Sequence, residues 1–202
     1  MKKIFIVLAA SIVLLTGCGA SLNTPTGAVE EFLSKYQNLD KDVLAQLDSV
    51  IANDNTMSED QRSDYRDLMI TQYKNLSYKV KDENIVDDEA EVDVEIEVLD
   101  YASNINESRI YFRKHTDEFN DKDNNGNTDS GNNGIADDIG EGITDAIDNI
   151  SSFIEYKIKN LKDVTNTTTY TITFYLTKID NEWVVEDMSD VDIQKIHGLY
   201  EG

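Results

Sequence analysis

Cysteine occurs once in the chain, so no internal disulfide can form and an apolar core has to hold the fold. Histidine occurs only at His115 and His197, and with one cysteine that leaves no Cys/His set for zinc. No serine stands in a nucleophile-elbow context, and no glycine-rich phosphate loop follows a strand. Nothing here predicts an enzyme. Basic residues are scarce: 18 Lys and Arg against 40 Asp and Glu leave a formal charge of -22, which repels phosphate backbones and excludes nucleic acid as a partner. The length suits one ordinary domain with a modest additional element.

What is present begins with a leader. Met1-Lys2-Lys3 is a positive start, and Ile4 to Leu15 is an apolar stretch too short for a comfortable membrane span. Leu15-Thr16-Gly17-Cys18 follows, and it resembles a bacterial lipobox: an aliphatic residue, two small ones and a cysteine. That resemblance implies a signal peptide over 1–17, cleavage before Cys18, lipid on the Cys18 sulfur and a short tether over 18–23. Two acyl chains anchor stably at roughly 0.8 kcal/mol per buried methylene, where one chain gives marginal binding. The expected address is the extracytoplasmic face of a cell membrane, with the membrane itself as a partner through the lipid.

Residues 24–202 read as a single α+β domain. Thr24 and Pro25 open a helix with a stripe of Ala28, Phe32, Leu33 and Tyr36. Asp40 caps a second, carrying Val43, Leu44, Leu47, Val50 and Ile51. Ser58 and Gln61 form a capping box for a third, with Tyr65, Leu68, Met69, Tyr73 and Leu76. Tyr78 and Val80 alternate with lysines. Ala90, Val92, Val94, Ile96 and Val98 alternate with acidic residues, the pattern of a strand with one buried face. Tyr170, Ile172, Phe174 and Leu176 repeat it, Asp180-Asn181 turns the chain, and Trp183-Val184-Val185 returns. Ser189 or Asp190 caps a short last helix.

Between the strand pairs lies an insertion, residues 101–163. Its first part predicts a helix from Ile105 to Phe119, with Ile110 and Tyr111 or Phe112 on a face. Its last part predicts a stronger one from Ile139 to Leu161, apolar at every third or fourth residue. The middle, 120–134, is an Asn/Asp/Gly-rich loop without an apolar side chain before Ile135, and its composition predicts disorder. An insertion of this kind is expected to be separable from the core.

Pro25-Thr26-Gly27-Ala28-Val29-Glu30-Glu31-Phe32-Leu33, soon after the lipobox, is similar to the start of uncharacterised Gram-positive lipoproteins of the nuclear-transport-factor-2-like (cystatin-like cone) class. The strand Tyr170 to Leu176 and its Glu182-Trp183-Val184-Val185 return resemble that class too. The resemblance covers about 24–100 and 164–200. It implies N-terminal helices packed on a curved antiparallel sheet, a cone. These are packing motifs, so no catalytic residue is carried over with them.

Asp121, Asp123, Asn125, Asn127 and Asp129, with Gly126 at the turn, fit the front of an EF-hand-like calcium loop. The fit fails at Thr128, where an apolar residue belongs, and at Asn132, where a bidentate Glu belongs. The plainer reading is a solvated acidic linker; as a cofactor site it would be weak calcium or none. Glu91, Asp93, Glu95 and Glu97 read as a solvent-facing stripe that discourages edge pairing, with a basic partner as the alternative. Tyr36, Tyr65, Tyr73, Tyr175 and Trp183 read as core or pocket lining. The expected role is a tethered binding module for a small ligand or an envelope partner; the alternative is a structural or assembly lipoprotein of the envelope without a ligand.

Overall fold

Each predicted cap at the start of the chain forms. In the computed structural model, which describes residues 23–115 and 151–202, helix α1 spans Pro25–Gln37 with Thr24 extended and its hydroxyl accepting from the Gly27 amide at 3.1 Å. It ends where Leu39 turns into the left-handed region at φ 55, and the Asp40 amide reaches back to the Lys35 carbonyl at 2.8 Å. Asp40 then caps α2, Lys41–Asn53, through the Asp42 amide. Only Leu47 and Ile51 of α2 are buried, whereas Val50 is 64% exposed. One face of this helix meets α3, and Val50 lies off it. The Ser58–Gln61 box opens α3, Glu59–Asn75, with both reciprocal bonds made.

The strands are β1 Ser77–Val86, β2 Glu89–Leu99, β3 Thr167–Ile179 and β4 Glu182–Val185, in the order β1-β2-β3-β4 with every neighbour antiparallel. The protein is α+β with an open four-stranded sheet. Strand β1 runs well beyond the Tyr78–Val80 alternation, because a bulge between Val80 and Asp82 lets pairing continue to Val86. Asp180 and Asn181 both have positive φ, 51 and 72, the conformation that a two-residue hairpin turn requires. One face of the sheet is the core: Val92, Val94, Ile96 and Val98 are fully buried, with Ile172, Phe174 and Leu176 beside them. Strand β2 is central, so its acidic stripe does not guard an edge; β1 and β4 are the edge strands. Tyr175 belongs to the outer face with the threonines and is 55% exposed, so of its two readings, core or pocket lining, core fails and it lines a hollow. Strand alternation outranks the aromatic character of that residue.

Between β2 and β3 the chain forms α4, Tyr101–Lys114, and a helix over residues 151–162, here α5. Helix α4 starts four residues before Ile105 because Asp100 caps it through the Ser103 amide, and it stops at His115 rather than Phe119. Its buried side is Tyr101, Ala102 and Ser108; Ile110 is exposed. The expected start of α5 at Ile139 lies outside the described residues. Tyr101, Ile154, Ile158 and Leu161 join the same core cluster as the sheet. Two hydrogen bonds reinforce this: Tyr101 donates to the Leu68 carbonyl at 3.2 Å, and the Gln61 amide donates to the Ser151 carbonyl at 3.0 Å. These helices therefore pack as part of the core.

The chain closes with α6, Asp190–Ile196, capped by Ser189, and with Gly198. Gln72, fully buried, clamps Leu99 by donating to its carbonyl at 3.1 Å and accepting from its amide at 2.9 Å. Gly198, at φ +67, presses against this clamp: a Cβ there would sit 2.1 Å from both Gln72 Nε2 and the Leu99 carbonyl. Its carbonyl accepts from Ala102 at 2.8 Å. The junction of β2 and α4 is thereby fixed to α3 and to the C-terminal segment.

Candidate functional site

That junction places a hollow of about 480 Å³ between α3, α4, α5 and the residues after α6, within the range of small-molecule sites. Its apolar wall is Ile105, Leu161, Leu199 and the Tyr200 ring. Its polar wall is Tyr65, Arg109, Lys157, Gln194 and Glu201. Arg109 lines the hollow from the third turn of α4, and its guanidinium meets the Glu201 carboxylate at 2.6 Å. Lys157 comes from α5. Burial, and secondarily the charge of Arg109, pushes its pKa down, while Asp54 acts weakly the other way. Burial, with a smaller contribution from the Asp54 charge, pushes the Tyr65 hydroxyl up, so it is a neutral hydrogen-bonding group at neutral pH.

A second hollow, about 310 Å³, lies over the middle of β3 beside the β4–α6 connection, with Glu186, Asp187 and Asp192 in its lining. Two of these carboxylates are already engaged. Glu186 accepts from the Thr177 hydroxyl at 2.6 Å, and Asp192 accepts from Ser189 and pairs with Lys195 at 2.9 Å.

Three of the four carboxylates in the acidic stripe are similarly occupied. Asp93 accepts from Thr173 at 2.7 Å, Glu97 from Thr167 at 2.7 Å, and Glu95 pairs with Lys81 at 2.9 Å. Among the described residues no cluster of three or more His, Cys, Asp or Glu could hold a metal ion, and no helix is long and apolar enough to cross a membrane. Cys18 and the leader, and the calcium-loop residues Asp121, Asp123, Asn125, Asn127 and Asp129, lie outside the described residues.

The histidines part company. His115 caps the end of α4, stacked on Tyr111 with centroids 4.1 Å apart. His197 lies at the end of a run of rings crossing the core, Phe32, Tyr36, Tyr73 and His197, with neighbouring centroids 5.2–5.6 Å apart. Its Nε2 is 3.1 Å from the Tyr73 hydroxyl. Burial pushes the imidazole pKa down from 6.5 to about 4 and pushes the Tyr73 hydroxyl up, so a neutral ring and a neutral phenol share this hydrogen bond. Neither hollow is lined by this pair.

Sequence reading found Tyr65 as lining but missed Arg109 and Lys157. They are far apart in the chain, and each reads alone as a solvated helix charge. The one available signal is that cations are few in so acidic a chain. Comparison with protein-family models, with curated proteins and with solved structures found no match.

Proposed function

We propose that this protein is an extracytoplasmic lipoprotein, anchored through lipid on Cys18, whose folded domain binds a small ligand in the hollow between α3, α4, α5 and the C-terminal segment. The leader and its lipobox-like Leu15 to Cys18 support the address. One observation carries the role: a cavity of ligand size is lined by apolar side chains together with two cations, in a chain of charge -22. The role is binding rather than turnover. We assign the fold to the cone class, with helices α1 to α3 against the inner face of the β-meander and α4 and α5 as an elaboration between strand pairs. The antiparallel order and the buried inner face support that assignment.

Two measurements test the reading. Labelled palmitate should enter the wild-type chain and fail to enter Cys18→Ala. A thermal-shift panel of amino acids, short peptides, sugars and organic acids on the full chain in nanodiscs should give a stabilising compound whose effect disappears in Ile105→Trp, which fills the hollow. A panel without any such compound, together with cross-linking to envelope proteins, would favour the structural lipoprotein instead.

A further inference from the structure

Charge sign, vacancy of partners and shape coincide in the same hollow. The chain as a whole repels anions, yet the hollow's lining carries two cations against one carboxylate. Lys157 makes no ion pair or hydrogen bond with any described residue, although it is half-buried and its charge is opposed by the neighbouring Arg109. Within the fold only a weak attraction to Asp54, short of an ion pair, favours its charge; an incoming anion would supply the missing interaction. The Tyr65 hydroxyl likewise makes no hydrogen bond with a described residue, and it lines the same space. Arg109 shows what the space accepts. It holds a carboxylate at 2.6 Å, and that carboxylate belongs to Glu201, which is itself exposed next to the partly buried Leu199 and Tyr200. Ile105 and Leu161 line the same hollow one helical turn from Arg109 and Lys157, and with Leu199 they suit an apolar body.

We infer that this hollow takes a small amphipathic anion, one carboxylate or phosphate on an apolar body, anchored by Lys157 and Tyr65, with Glu201 as the built-in competitor for Arg109. This rests on the hollow being the binding site. A ligand anion meets Lys157 directly. It reaches Arg109 only if Glu201 swings away, so removing that carboxylate should tighten binding. The apolar wall then sets the preference for an aromatic or aliphatic body over a bare ion.

Calorimetric titration of the full chain in nanodiscs, with empty nanodiscs as the reference, tests this with three probes that share an apolar body: phenylbutyrate, phenylbutyramide and phenylpropyl phosphate. Phenylbutyrate should bind saturably, and the uncharged amide at least roughly tenfold more weakly. Lys157→Met should cost the acid about the same factor, with Lys157→Arg restoring most of it. Glu201→Gln, an exposed and structurally mild change, should tighten the acid several-fold. The phosphate binding more tightly than the acid would assign the anion to a phosphate group, and more weakly to a carboxylate; both support the shared chemistry. Equal binding of acid and amide, indifference to Lys157→Met, or weakening by Glu201→Gln would overturn it. If acid and amide bind equally and Ile105→Trp abolishes both, the hollow is a binding site and only the anion preference falls. If no probe binds, the inference falls, and a silent thermal-shift panel would remove the binding reading as well.

Discussion

Lowering the pH should weaken the fold through one buried ring. His197 has its pKa pushed down from 6.5 to about 4 by burial. Above pH 6.5 neither the folded nor the unfolded chain protonates it, and its contribution is fully present. As pH falls below that value the unfolded chain takes up a proton that the fold refuses, so stability drops until the pH reaches about 4, where folded His197 also protonates. At about 1.4 kcal/mol per unit, the full loss is about 3 kcal/mol, of which about 2 kcal/mol is lost between pH ~7.5 and pH ~5. Protonation of the many carboxylates acts in the opposite direction by relieving self-repulsion, so the wild-type slope alone is a mixture. The comparison with His197→Gln isolates the ring, because the glutamine amide can donate to or accept from Tyr73 while carrying no titrating proton. Urea denaturation of both proteins at the two pH values should show the wild type losing about 2 kcal/mol more than the variant. Parallel losses would refute the reasoning, as would an NMR titration placing the His197 ring near its ordinary pKa.

Gly198→Ala should cost about 2–5 kcal/mol in the same assay, since it combines a left-handed backbone with a Cβ inside the Gln72–Leu99 clamp; Gly202→Ala, with its nearest non-neighbouring atom at 3.7 Å, is the neutral control. Gln72→Leu should cost about 2–4 kcal/mol by leaving the buried Leu99 amide and carbonyl unpaired. Ile158→Ala should cost about 2–5 kcal/mol, and removing residues 103–161 should abolish the cooperative melt, because α5 fills the main core. Asn181→Gly should raise the melting temperature slightly, by up to about 1 kcal/mol of stability, since the turn already holds that residue at φ 72.

The parts of the fold visible in the sequence are those decided by neighbouring residues. The caps at Thr24, Asp40 and Ser58 each need only a side chain two or three positions from an amide, and all three form. The alternation from Ala90 to Val98 is likewise local, and its inward residues are buried. What stayed hidden depends on contacts across the chain. The burial of Ile158 needs α3 and the sheet, so the periodicity marked a helix without saying that the helix completes the core. Gly198 carries no signal of its own, because its constraint comes from Gln72, 126 positions earlier. The candidate site is hidden for the same reason: Tyr65, Arg109, Lys157 and Glu201 lie on four separate segments.

A cationic partner is the alternative to a solvated face for the acidic stripe, and in the folded chain three of its carboxylates, Asp93, Glu97 and Glu95, are answered from within the sheet, by Thr173, Thr167 and Lys81. A basic ligand would have to displace those hydrogen bonds and win only an exposed ion pair, worth about 1 kcal/mol or less. The other surface pairs, Arg66–Asp48 and Lys162–Asp64, are of that exposed kind too and fade with salt. Lys157 differs in being half-buried and without an ion pair among the described residues, with only a weak attraction to Asp54 favouring its charge. An interaction made there is screened less, so binding of an organic anion in the hollow should survive added salt better than any attraction of cations to the outer sheet face.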